Sequence, residues 1–145
     1  MGQPTIPFVN FEVSGYKYQT IPLTGFAAIQ LDRKVSGLAL NSVGALAGIK
    51  KAEGKSLIPL VSSIAKAAQE LSDQEYIDLV ASTLSQTVHL VDGAKDIPLV
   101  GDAIGAHFQG HMIDLYMCMY KVWEANTLTP FALLDRFGGP ITQTP

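Results

Sequence analysis

Three sets of residues in the chain stand at spacings that chemistry can use. His107 and His111 lie one helical turn apart, with Asp114 and Cys118 further along the same stretch. Such a set could offer nitrogen, oxygen and sulfur to one metal ion from a single helix face. Zinc patterns of that kind carry the general-base glutamate beside the first histidine, and here Phe108 holds that place. His89 is the only other imidazole in the sequence, and a single cysteine excludes a finger or ribbon. Two partly buried or interfacial histidines are the better account. Ser85, His89 and Asp92 could serve as nucleophile, base and acid, but a triad needs a well-held nucleophile and an oxyanion site. No glycine elbow surrounds any serine. Residues 48–56, GIKKAEGKS, look like a phosphate loop until counted. Five residues separate the glycines where the motif has four, and no strand precedes them. Asp73, Glu75 and Asp78 cluster only because a helix's first turns favour acids. Catalytic, cofactor and metal sites are therefore all left unassigned, and an enzyme is not expected.

The pattern that dominates is apolar. Met112, Tyr116, Met119 and Trp123 fall at i, i+4, i+7 and i+11, one stripe at the helical period. Ile113, Leu115, Tyr120 and Val122 broaden it, and only Asp114, Lys121 and Glu124 give it a polar edge. A helix over residues 107–126 this apolar must be covered by neighbours or by a partner chain. Methionine adapts to several partner shapes. A core helix and a partner-binding surface account for the stripe equally well.

Composition points the same way. At 145 residues the chain is read as one domain. Apolar content of 48%, charged content of 16% and a mean hydropathy of +0.23 exclude disorder and favour association. The net charge of −3 is thinly spread and the ten basic residues form no dense patch, so no nucleic-acid partner is expected. Cys118 stands mid-stripe as a small buried hydrophobe, consistent with a reducing compartment. No signal peptide is evident, and Ile6 breaks the myristoylation pattern. The longest uncharged run, residues 35–49, is fifteen residues with Ser36, Asn41 and Ser42 inside it. A spanning helix wants about twenty, so no membrane segment is expected.

These residues must be positioned by the rest of the chain. Alternation before and after Ser14-Gly15 predicts a β-hairpin over residues 7–21, with one face laid on helices or paired with another chain. Thr24 can cap a helix over residues 25–40, whose apolar residues are Phe26, Ile29, Leu31, Val35 and Leu38. Gly44, Gly48 and Gly54 weaken any helix over 41–56. Ser56 and Pro59 open a second helix that runs to Leu71. Ser72-Asp73-Gln74-Glu75 is a capping box, so a third helix starts at Asp73, with Tyr76, Ile77, Val80, Leu84 and Val88 buried. Asp92-Gly93, Ile97-Pro98, Gly101 and Gly105 read as an irregular linker. Thr129-Pro130 begins a short terminal helix carrying Phe131, Leu133, Leu134 and Phe137. The fold class is mainly α: a bundle of about four to five helices with an N-terminal hairpin. The single domain divides into a hairpin at 7–21, a helical part at 24–137 and a flexible tail at 138–145.

In that order, the parts resemble the phage tail assembly chaperones of long-tailed bacteriophages, encoded just before the tape measure protein. The resemblance is carried by FEVSGYKYQTIPL, GFAAIQLDRKVSGLAL, LSDQEYIDLVASTLSQTVHL and MIDLYMCMYKVWEANTLTPFALLDRFGG, most of the chain. It implies a non-catalytic protein of the host cytoplasm that coats the tape measure protein, keeps it soluble and helps recruit tail tube protein. It would leave before the tail is finished. Many such proteins also have a longer, frameshifted form. An amphipathic client helix needs a surface of adaptable apolar side chains, and Met112, Tyr116, Met119, Tyr120, Trp123 and Phe131 are the expected partner-facing or oligomer-facing residues. Homo-oligomers fit the same surplus. The alternative is a structural minor tail or baseplate protein retained in the virion. A histidine-bound metal enzyme and a holin-like membrane protein stand further off. The 48–56 stretch has no part assigned by the resemblance.

Overall fold

The computed structural model describes residues 8–39 and 64–129. The 48–56 stretch, the start of the second expected helix, Phe131 with the terminal helix, and the tail lie outside the described residues.

Strands β1 (Val9–Val13) and β2 (Tyr16–Thr20) form the expected hairpin, Val13 opposite Tyr16 across the turn. Ser14 and Gly15 both take positive φ, 52° and 87°, as in two-residue turns whose twist matches that of the strands. The alternation sets the register: Val9 pairs with Thr20, Phe11 with Tyr18 and Val13 with Tyr16. Val13, Tyr18 and Thr20 are buried while Asn10, Glu12 and Lys17 face water, and the Phe11 and Tyr18 rings stack at 5.3 Å.

Helix α1 (Gly25–Ala39) buries Leu31 and Val35 and half-buries Leu38, the i, i+4, i+7 stripe. Phe26 and Ile29, expected on that face, are exposed. At about 100° per residue both point nearly opposite to Leu31 and Val35, so one helix cannot bury all four against the same neighbours. Residues 64–68 are helical, with Ile64 and Ala68 buried. Helix α2 (Asp73–Leu84) starts at the capping box: the Glu75 amide donates to Ser72 Oγ at 3.1 Å and the Ser72 amide to Glu75 Oε1 at 2.9 Å. It buries Leu79, Val80, Thr83 and Leu84, but Ile77 faces out.

The chain then departs from expectation. Val88 is not on α2, which stops at Leu84; it belongs to strand β3 (Thr87–Leu90), antiparallel to β2. Thr87 Oγ1 donates to Thr20 Oγ1 at 2.9 Å beneath the sheet. Part of the expected linker forms strand β4 (Ile97–Pro98), pairing Val88 with Pro98 and His89 with Ile97. Proline, lacking an N–H, is tolerated because β4 is an edge. The sheet order is β1-β2-β3-β4.

Helices α3 (Asp102–Phe108) and α4 (Met112–Ala125) replace the single helix expected over 107–126. Gly110 at φ 86° makes the break, a left-handed residue no helix can carry through. Asn126 ends α4: its Nδ2 donates to the Val122 carbonyl at 2.8 Å, and its Oδ1 accepts from the Leu23 amide at 2.8 Å. Thr129 reaches α1, its amide and Oγ1 both donating to the Asp32 carboxylate at 2.6 and 2.7 Å. Helical segments make up 55% of the described residues. They pack against a four-stranded sheet as well as one another, so the described part is mainly helical without being the expected bundle. The core gathers Tyr18, Leu31, Val35, Leu84, Leu99, Phe108, Met119 and Trp123 from every layer.

Candidate functional site

Helices α1 and α2, with the turn ahead of α2, together line one furrow. This is a groove of about 520 Å³. Its floor is apolar, with Leu79 buried and Leu38 and Leu71 half-buried. Gly37 and Ala67 add little bulk, which keeps the groove open. Its rims are charged and exposed: Arg33 and Lys34 on α1, and Glu70, Glu75 and Asp78 opposite. Among the described residues no ion pair joins the two rims. Lys34 Nζ instead donates to Ser82 Oγ at 3.3 Å, and Glu75 serves the helix cap.

The residues expected to face a partner separate along α4. Met112, in the first turn, is exposed, as is Ile113 beside it. Tyr116 and Tyr120 are half-buried, Tyr116 accepting from the Tyr76 hydroxyl at 3.1 Å. Burial foremost, then that hydrogen bond, raises the Tyr76 hydroxyl above its usual range. Met119 and Trp123 are sealed in the core, the indole Nε1 donating to Thr83 Oγ1 at 3.0 Å. Phe131 lies outside the described residues. Sequence reasoning missed the groove because its floor comes from three separate segments and its charges look like ordinary solvated faces.

The structure also brings all three histidines together. His89 of β3 and His107 of α3 pack at 4.4 Å between ring centroids, and His107 and His111 at 5.5 Å. Tyr16 stacks on His111 at 5.1 Å and meets His107 edge-on at 5.4 Å. The Tyr18 hydroxyl lies 2.7 Å from His107 Nε2. Burial above all holds that hydroxyl's proton, so it donates to a neutral imidazole. Asp114, buried at the start of α4, accepts from Ser14 Oγ at 2.8 Å and pairs with His111 Nδ1 at 2.8 Å. Among the described residues His89 Nδ1 is sealed with no hydrogen-bond partner.

Burial first, then the neighbouring His89 and His111, lowers His107 below the ordinary imidazole value of 6.5; Asp114 opposes more weakly. A lowered value means that the unfolded chain binds the proton more readily. The stability His107 contributes is therefore present above 6.5 and is lost as pH falls through its folded value. Urea unfolding at about pH 8 and about pH 5 should show the protein weaker in acid. His107→Gln, which keeps a hydrogen-bonding partner for Tyr18, should flatten that dependence.

A family model described as phage tail assembly chaperone protein, TAC, matches residues 14–135. The chain belongs to that family. The match runs from the hairpin turn past the end of α4, and so takes in the groove and the histidine cluster. A search of curated proteins and a search of solved structures each found no match.

Membership in the tail assembly chaperones implies interaction with phage tail proteins, and the other chemical sets take their place around that role. Ser85 Oγ donates to the Ser82 carbonyl at 3.0 Å at the end of α2, His89 is packed among aromatic rings, and Asp92 lies in the turn after β3. No hydrogen bond among the described residues joins Ser85, His89 or Asp92 to one another. Among the described residues no group of three or more His, Cys, Asp or Glu side chains is placed to hold a metal ion. The Cys118 thiol, buried and touching the Tyr18 hydroxyl, is pushed up to about 12, chiefly by burial. No described helix is long and apolar enough to cross a membrane.

Proposed function

We propose that this tail assembly chaperone binds the tape measure protein of its phage in the host cytoplasm, keeps it soluble and assists assembly of the tail tube, without catalysis. The family match over residues 14–135 carries this reading. The surface supports it: a long helical client needs apolar side chains to lie on, and Phe26, Ile29, Ile77, Met112 and Ile113 are all exposed. Tail tube protein and further copies of this chain are the other proposed partners. Of the residues singled out from sequence, Met112 is accessible as the fold stands; Met119 and Trp123 could meet a partner only if α4 left the core.

Co-expression with the tape measure protein should move that protein from the insoluble to the soluble fraction. An unchanged distribution would count against the proposal. Mass spectrometry of purified virions should find the chaperone absent or scarce, whereas a stoichiometric level would mark a retained tail or baseplate component.

A further inference from the structure

We infer that the groove between α1 and α2 seats one amphipathic helix whose two polar edges carry opposite charges, acids toward Arg33 and Lys34 and bases toward Glu70 and Asp78. The inference rests on the chaperone reading and adds where, and in what chemical form, a client is held. Shape argues for a helix. The α1 and α2 walls use their backbone hydrogen bonds internally, so an extended peptide would find no strand edge to pair with. A helix satisfies its own backbone and needs only apolar contact for one face, which Leu38, Leu71 and Leu79 supply.

Charge argues for the mixed edges. The rims carry opposite signs, and no ion pair among the described residues joins them across the groove. An occupant charged alike on both edges would gain at one rim and be repelled at the other. One with an acidic and a basic edge complements both. Because a helix turned end for end exchanges its edges, the same pairing also fixes the direction in which it lies. Exposed charges contribute more to orientation and selectivity than to raw affinity, so the preference should fade as salt screens it.

Three fluorescently labelled peptides of about 18 residues, sharing one leucine face, test this with the full-length chain by anisotropy. One carries Glu on one edge and Lys on the other, one Glu on both, one Lys on both. The mixed peptide should bind about tenfold more tightly than either uniform one at low salt. Glu70→Lys with Asp78→Lys should transfer the preference to the all-Glu peptide. Gly37→Phe is chosen to plug the groove, since a Cβ there meets nothing within 4 Å among the described residues and the backbone is not left-handed, so the helix itself admits a side chain. It should abolish peptide binding while leaving thermal stability intact. Equal binding of all three peptides, or binding that survives Gly37→Phe, overturns the inference. If Gly37→Phe still solubilises the tape measure protein as the natural chain does, the groove is not the seat and the chaperone reading survives. If the natural chain fails to solubilise it, that reading falls, and the peptide series alone decides the groove.

Discussion

Trp123→Ala should destabilise the protein by about 3–5 kcal/mol, the usual cost of removing a large buried aromatic. Trp123 is 4% exposed, on the face of α4 that meets α2. Its loss would leave a void between two helices whose other contacts hold them apart, so collapse would be partial. The substitution would also strip Thr83, itself buried, of the indole N–H it accepts. Trp123→Phe separates the two effects. It keeps most of the ring but loses the donor, and should cost about 1–3 kcal/mol. Guanidinium unfolding followed by circular dichroism checks both, since Trp123 is the chain's one tryptophan and the indole emission would vanish with it.

Asp114→Ala should cost about 1.5–3 kcal/mol, the range for hydrogen bonds that engage a charged group. Its carboxylate joins parts of the chain a hundred residues apart: one oxygen takes the Ser14 hydroxyl of the hairpin turn, the other meets His111. It also lies in the first turn of α4, where an acid is favoured by the helix dipole. Without it the turn between β1 and β2 has lost its tie to the helix. Urea unfolding should register the loss, and amide exchange should quicken at the turn before it does in α2. Asp114→Asn, which still offers Ser14 a carbonyl, should fall between the two.

What the sequence disclosed was local. Ser14-Gly15 between two alternating runs located the hairpin and its register, because the turn and the period-2 pattern specify each other. Ser72 and Glu75 located the start of α2, because both halves of that cap are written within four residues. What stayed hidden depends on distant pairing. Thr87-Val88-His89-Leu90 follows a strong helical stretch, and its partner β2 lies about seventy residues earlier, Thr87 bonding Thr20 at a separation of 67. Two residues of β4, one of them proline, leave no readable pattern at all. Gly110 falls inside the one long helix expected over 107–126, and its positive φ marks the break. His89 could not be read as a neighbour of His107 and His111, because it stands on an unrecognised strand. Half of the apolar stripe on α4 proved to be core and its first turn surface, a division that needs the covering elements to be known.

The position of Cys118 has a practical corollary. With no surface of its own and a tyrosine hydroxyl against its sulfur, it is shut away from oxidants and alkylating reagents for as long as α4 rests on the sheet. The protein can thus be purified in air without cross-linking through its one thiol, and any modification found there records a moment when the interior came apart.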